Sequence, residues 1–111
     1  VASYRELSDL PAHLVGELVF GVLHASPRPA PKHALAASAL GGELEPAFRR
    51  GRGGPGGWLI LDAPELHLGE HVVVPDLAGW RRERMPALPV DTAYFETAPD
   101  WVCEVLSPST V

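Results

Sequence analysis

The sequence has a single cysteine and no long apolar run, and both absences restrict what the protein can be. With Cys103 alone, an internal disulfide is excluded, as is usual for proteins of a reducing compartment. No uninterrupted apolar stretch is long enough to span a bilayer, and no charged-then-apolar leader is visible. We therefore expect a cytoplasmic protein with no membrane association.

Positive charge is also scarce. Nine Lys and Arg stand against 14 Asp and Glu, and the net charge of −5 argues against nucleic-acid binding driven by overall charge. The arginines are nevertheless clustered, at 49–52 and at 81–84, so a local basic patch remains compatible with the sequence.

Apolar residues, proline and glycine are plentiful. Apolar residues make up 46% of the 111 positions, which supports a packed core, and 12 Pro with 11 Gly predict many turns. This length predicts one domain, residues 1–111.

The predicted elements are a capped helix from Tyr4 to Asp9, a hairpin around Phe20-Gly21, a helix from His33 to about Arg50, a strand over 58–61 and a hairpin over 65–74. This order indicates an α/β or α+β fold, a sheet flanked by helices.

Two of the strands carry a carboxylate each. The stretch Pro99 to Leu106 predicts a buried strand with Glu104 inside it, and the run from His71 to Pro75 leads directly into Asp76. A carboxylate among apolar neighbours is costly to desolvate unless it is paired. Two strands that each deliver one carboxylate predict a divalent metal site on the sheet. Asp76 could instead begin a turn, and Glu104 could form a buried ion pair with an arginine.

Several segments together resemble a known family. They are Glu17-Leu18-Val19-Phe20-Gly21 with Ser26-Pro27 and His33, then 74–81, then Pro99-Asp100-Trp101-Val102-Cys103-Glu104-Val105-Leu106-Ser107-Pro108-Ser109-Thr110. The chain resembles, over its whole length, the Uma-two family of bacterial proteins with the restriction-endonuclease-like fold.

The resemblance implies the core of the PD-(D/E)xK nucleases, a mixed β-sheet flanked by helices. Asp76, Glu104 and the backbone carbonyl of Val105 would then hold Mg²⁺ or Mn²⁺, and Glu17 would complete a catalytic set with the two acids. It further implies a metal-dependent endonuclease that hydrolyses DNA phosphodiester bonds. The alternative is a non-catalytic module that binds nucleic acid or protein on a nuclease fold.

One position departs from the family pattern. Leu106 stands where the usual catalytic lysine would be, and the resemblance implies that the lysine comes from a helix beyond Val111. We therefore expect an incomplete domain, missing its C-terminal part, that cuts DNA poorly or not at all. A sheet that ended here would expose an edge and an apolar face, so we expect a partner to cover it: the missing segment, another copy of the chain or a reorganised dimer. Among assemblies, a homo-oligomer and most simply a dimer is expected.

The remaining candidates concern nucleic-acid contact. His33 opens a predicted helix and could orient a phosphate, although a surface histidine is an equal alternative. Arg81 and Arg82 follow Trp80 and could contact a DNA backbone, or they could form a solvated face that offsets neighbouring acids.

Overall fold

A computed structural model describes residues 1–106, which fall into two compact units, each assembled from three separate stretches of chain. The first unit comprises 1–29, 65–74 and 89–98, and the second comprises 30–64, 75–88 and the chain from 99 onward. Ser107-Pro108-Ser109-Thr110, part of the family signature, lies outside the described residues. Whether the two units form one domain stays a prediction.

The first unit begins with the predicted capped helix, α1 (Tyr4–Ser8). The Ser3 side chain accepts from the backbone N–H of Glu6, and the Glu6 side chain accepts from that of Ser3, which satisfies two free donors of the first turn. The strands β1 (Leu14–Val19) and β2 (Val22–Pro27) then form the predicted antiparallel hairpin. Both local signals are thus confirmed.

Four antiparallel strands make up the sheet of the first unit, in the order β2-β1-β5-β4. The hairpin of β4 (Leu66–Leu68) and β5 (His71–Val73) agrees with the predicted one. Leu18 of β1 is paired with Val72 of β5, and with Leu7 of α1 these residues form the apolar core of the unit.

An aromatic and polar cluster binds residues 94–95 to this sheet. Phe95 pairs with Leu66 in a parallel bridge, and the His67 ring stacks on Tyr94 at a centroid distance of 3.6 Å. The Tyr4 hydroxyl donates to Glu65 at 2.7 Å, and this hydrogen bond raises the pKa of Tyr4.

The second unit contains the long helix, α2 (Pro31–Leu44), which continues into a π-helical turn over Glu45–Arg49. Pro46 lies in this π-helical turn. Because proline has no N–H to donate, the backbone widens to the i→i+5 pattern there, and the Arg50 N–H donates to the Glu45 carbonyl at 3.1 Å.

Three antiparallel strands form the sheet of the second unit, in the order β3-β6-β7. They are β3 (Trp58–Asp62), β6 (Leu77–Arg81) and β7 (Trp101–Cys103). The central strand β6 is the core of the unit, since Leu77, Ala78 and Trp80 are fully buried.

The α+β class is confirmed, with two corrections of detail. The strands divide between two antiparallel sheets rather than one mixed sheet. The strand predicted over Pro99–Leu106 is wrong in length and burial: β7 has three residues, and Trp101, Val102 and Leu106 are 37%, 53% and 70% exposed. β7 lies at the edge of its sheet, so its apolar residues indicated a burial that an edge strand does not have.

The longest helix, α2, has 14 residues, and no helix within the described range is long and apolar enough to cross a membrane.

Gly79, in the centre of β6, leads to a first prediction. A Cβ atom there would lie 2.9 Å from Ile60 Cδ1, with the rings of Trp58 and Trp101 at 3.3 and 3.4 Å on either side. Because the new Cβ atom would crowd Ile60 and both rings at once, Gly79→Ala should lower the free energy of unfolding by about 1–3 kcal/mol. Urea denaturation followed by tryptophan fluorescence measures this change.

Gly42→Ala is the matched control, since a Cβ atom at this helical position meets nothing within 4 Å. It should raise the free energy of unfolding by up to about 1 kcal/mol through helix propensity. Equal effects of the two substitutions would contradict the packing described at Gly79.

Candidate functional site

The Asp76 carboxylate is the centre of the candidate site. Its Oδ2 atom lies 2.9 Å from Nε2 of His33 and accepts a hydrogen bond from the backbone N–H of Val105 at 2.7 Å. The side chains of Asp76 and His33 are only 17% and 18% exposed, so the pair is partly shielded from water while one side remains open. Two donors on one oxygen fix the orientation of the carboxylate.

Three elements of the second unit supply these groups. His33 lies in the first turn of α2, which Pro31 starts with its fixed φ. Asp76 directly precedes β6, and its carbonyl accepts from the N–H of Ala63 at 2.9 Å, just beyond the end of β3. Val105 follows β7 by two residues. The structure thus brings together three residues that were predicted separately: His33, Asp76 and Val105.

Glu104 is placed differently from the prediction. It follows β7 rather than lying inside a buried strand, and it is exposed. The desolvation argument that singled it out is therefore wrong for this chain, because the strand ends one residue earlier. Its part in a metal site stays a prediction.

Glu17 belongs to the first unit, on β1. Its Oε2 atom accepts from the backbone N–H of Val74 at 2.8 Å, just after β5 ends. It is partly buried rather than a simple solvent-facing residue. Val74 is two positions before Asp76 in the chain, so Glu17 fixes the backbone that leads to the site residue.

The oxygen atoms at Asp76 are of the chemical type that binds a hard divalent cation. Carboxylate and backbone oxygens are the ligands of Mg²⁺ and Mn²⁺, and Mg²⁺ needs only one or two carboxylates because it retains water. Within residues 1–106, no three His, Cys, Asp or Glu side chains are grouped so that they could hold a metal ion. The set of three carboxylates therefore stays a prediction.

The predicted basic residues lie at the end of β6. Arg81 places its guanidinium 4.8 Å from the centre of the Trp58 ring, a cation–π contact, and Arg82 is exposed. Asp100, which the sequence analysis did not single out, organises this segment. Its carboxylate accepts from the Arg81 N–H at 2.9 Å and pairs with Arg84 at 2.7 Å. In the sequence, the only indication of this role was that Asp100 directly precedes a predicted strand while a basic run lies at 81–84.

A family model described as "Putative restriction endonuclease" matches residues 2–111. The chain belongs to the Uma2 family. The predicted family is thus confirmed. No curated protein matches the sequence.

Among solved structures, this Uma2 chain is similar to "a putative nuclease belonging to DUF820" from Anabaena variabilis ATCC 29413, with a TM-score of 0.78 and 24% sequence identity. The match covers 100% of this chain and 62% of the other, so the chain spans less than two thirds of that protein's length. At this identity the likeness establishes the fold alone, and the predicted nuclease fold is confirmed.

Charge is divided unevenly between the two units of this Uma2 chain. The first unit has two arginines against seven carboxylates, a net charge of −5, and the second has seven cations against seven carboxylates, a net charge of zero. The cations of the second unit are Lys32, Arg49, Arg50, Arg52, Arg81, Arg82 and Arg84. The unit that holds Asp76 therefore also holds most of the positive charge.

Asp100 leads to a second prediction, which concerns pH. The Arg81 N–H, foremost, and the Arg84 guanidinium lower the pKa of Asp100 below its ordinary value of 3.8. A lowered folded-state pKa stabilises the fold above the unfolded pKa, and this contribution is lost as pH falls through the folded pKa. Asp100→Asn should therefore lower the melting temperature at neutral pH.

That deficit should shrink progressively below about pH 3.8, where the wild-type carboxyl takes up its proton. Thermal unfolding of both proteins across this range measures it, with Glu83→Gln, an exposed acid of the same segment, as control. A deficit independent of pH would show that the charge of Asp100 is not what matters.

Proposed function

We propose that the Uma2 protein to which this chain belongs is an endonuclease that hydrolyses DNA phosphodiester bonds and depends on Mg²⁺ or Mn²⁺. The observation that carries the proposal is the Asp76 carboxylate, oriented by His33 and by the Val105 N–H, in a chain of this family. The one-cysteine composition and the absence of a membrane-crossing helix in the described range support a cytoplasmic location.

Asp76, Glu104 and the Val105 carbonyl would hold the cation. A bound divalent ion supplies a water of lowered pKa and neutralises charge that develops on the phosphate. The residues of the chain have separate tasks. Asp76 is held in one orientation by its two donors, so little reorganisation accompanies binding. Glu17 fixes the backbone at Val74, which leads into Asp76.

His33 has a second task in this proposal. Its Nε2 atom already contacts Asp76, so the imidazole is within reach of any phosphate oxygen that approaches the carboxylate site. Its Nε2–H would be shared between Asp76 and that oxygen and would so orient the scissile phosphate. Arg81 and Arg82 would contact the flanking backbone phosphates, which position DNA without reading its sequence.

The isolated chain should be a poor catalyst. Leu106 offers no cation at the position where the resemblance expects a lysine. The solved neighbour is also longer, since this chain covers 62% of it. We propose that the remaining catalytic group lies in a longer form of the protein, and that this form is a homodimer.

A third prediction tests the metal site without requiring activity. Mn²⁺ titrated into isotope-labelled protein should broaden the amide signals of Asp76 and Val105 at the lowest metal concentration, because the ion sits beside both backbones. Asp76→Asn, which preserves shape and removes the charge, should abolish this selective broadening. Glu83→Gln should leave it unchanged.

In the same samples, supercoiled plasmid should be nicked at trace level only, and Asp76→Asn should remove that trace. Selective broadening without any nicking, also in a longer form of the protein, would favour the non-catalytic binding module. Broadening that begins in the acidic first unit instead would contradict the proposed metal site.

A fourth prediction concerns DNA contact by the second unit. Arg82→Gln should weaken binding of a fluorescent duplex oligonucleotide and reduce the slope of log affinity against log salt by about one, because one phosphate contact is lost. Arg5→Gln is the matched control, an exposed arginine of the acidic first unit. Anisotropy titrations at several salt concentrations measure both; equal losses would show that the contact is not confined to the second unit.

A further inference from the structure

Two arginine-bearing segments of the second unit, remote from each other in the chain, meet at one backbone junction. The first segment, 50–57, is a glycine-rich loop that closes on itself: a Cβ atom on Gly56 would lie only 3.2 Å from the Cα atom of Gly51. The second is the turn that follows β6, where the Arg82 N–H donates to the carbonyl of Gly57 at 2.9 Å. The turn is therefore attached to the end of the loop.

The π-helical turn holds the same loop from its other side. The Arg52 N–H donates to the carbonyl of Pro46 at 2.8 Å, and the Gly56 N–H donates to that of Ala47 at 2.9 Å. These hydrogen bonds fix the backbone from which three arginine side chains leave. We call these three residues the arginine junction: Arg50, Arg52 and Arg82.

The arginine junction has a local excess of positive charge, although the unit as a whole is neutral. Its three side chains are exposed, and within residues 1–106 none of them forms an ion pair with a carboxylate. Two neighbouring arginines differ, since Arg49 pairs with Glu45 and Arg84 pairs with Asp100. Even with Glu83, the acid of the same turn, the junction has three cations against one carboxylate.

Exposed arginines without carboxylate partners are suited to phosphate. A guanidinium group forms two parallel hydrogen bonds to the oxygens of a phosphate, and it retains its charge at every physiological pH. Three guanidinium groups that leave one backbone junction can contact neighbouring phosphates of one nucleic-acid strand.

The local sequence favours a single strand over a duplex. Arg50-Gly51-Arg52-Gly53-Gly54 alternates arginine with glycine, as do segments that bind single strands without reading their bases. Neither the loop nor the turn is a helix or strand that could enter a groove of a duplex. A duplex also has a higher density of phosphate charge, which a chain with a net charge of −5 repels more strongly.

We propose that the arginine junction binds a single strand of DNA or RNA through its phosphates. Binding there requires neither a metal ion nor cleavage, so it goes beyond the proposed function. The two proposals share Arg82 alone, because Arg50 and Arg52 have no part in the site at Asp76. The glycines of the loop leave its backbone without side chains, which allows a strand to approach closely.

Anisotropy titrations of a short fluorescent oligothymidylate, in EDTA and at several salt concentrations, test the proposal. Arg50→Gln combined with Arg52→Gln should reduce the slope of log affinity against log salt by about 1.4, since each phosphate contact of a single strand contributes about 0.7. Arg82→Gln should reduce the slope by about 0.7 for the same reason. Lys32→Gln is the matched control: it removes one charge from the same unit at the start of α2 and should leave the slope unchanged.

Gly54→Ala tests the position of the loop without any change of charge. A Cβ atom there would lie 2.6 Å from that of Ala47 and 2.9 Å from the carbonyl oxygen of Ala47, so the loop must move away from the π-helical turn. The affinity should fall several-fold although every arginine is retained. Gly42→Ala, where a Cβ atom meets nothing within 4 Å, should bind as the wild type does.

Four results would overturn the proposal: no binding of the oligothymidylate by the wild-type chain, a slope that the double substitution leaves unchanged, an equal loss in Lys32→Gln, or Gly54→Ala that binds as the wild type does. Tighter binding of the matching duplex would overturn the choice of a single strand. Oligouridylate in the same titrations separates an RNA strand from a DNA strand. Circular dichroism establishes that each variant is folded, and Mn²⁺ broadening at Asp76 tests the metal site independently of these outcomes.

Discussion

The interaction on which the described site depends is the pair of donors at Asp76 Oδ2. It joins three parts of the chain that are remote in sequence: the start of α2, the start of β6 and the segment after β7. Hydrogen bonds to an ionised group are worth about 1.5–3 kcal/mol each. The β7 ladder has only three residue pairs, so the Val105 N–H is a substantial part of what fixes that segment. The same carboxylate therefore organises the structure and is the one proposed to hold the cation.

The division of charge between the two units changes what the net charge of the chain implies for the proposed contact with DNA. Overall, the net charge of −5 argues against phosphate binding, and all of that excess lies in the first unit. The second unit is neutral and carries seven of the nine cations, so the negative excess of the whole chain is not the charge of the unit that holds Asp76. Composition alone could not reveal this, because the two units alternate along the chain.

Local chemistry was predictable from the sequence, and long-range placement was not. The capping box at Ser3 and the turn at Phe20-Gly21 are decided by neighbouring residues, and the structure contains both. Asp76 could be identified because it directly follows an apolar run in a segment that resembles this family, although an Asp at the end of a strand also commonly begins a turn. The break between β5 and β6, however, is bounded by two long-range hydrogen bonds: the Val74 N–H donates to the Glu17 carboxylate, and the Ala63 N–H donates to the Asp76 carbonyl. No periodicity within residues 71–81 encodes those partners.

Glu104 also shows that a local sequence pattern does not determine long-range packing. Its alternation with Val102 predicted that the two residues share a face, but the predicted burial of that face is wrong: β7 is an edge strand, and Val102 and Glu104 are exposed. Period-two alternation states which residues share a face, and it does not state whether anything covers that face.

Three residues occupy positions that their intrinsic conformational preferences disfavour. Phenylalanine stands in a left-handed turn, proline stands within a helix, and glycine stands in the centre of a strand. Pro46 lies in the π-helical turn that contains Phe48, and Gly79 leaves room for the rings of Trp58 and Trp101, so two of the three departures shape one apolar groove of the second unit, lined by Leu44, Phe48, Trp58, Ile60 and Trp101. The third, Phe20, lies in the exposed turn between β1 and β2. Sequences are expected to be locally consistent except where a site requires otherwise, and two of these three exceptions meet at the same groove.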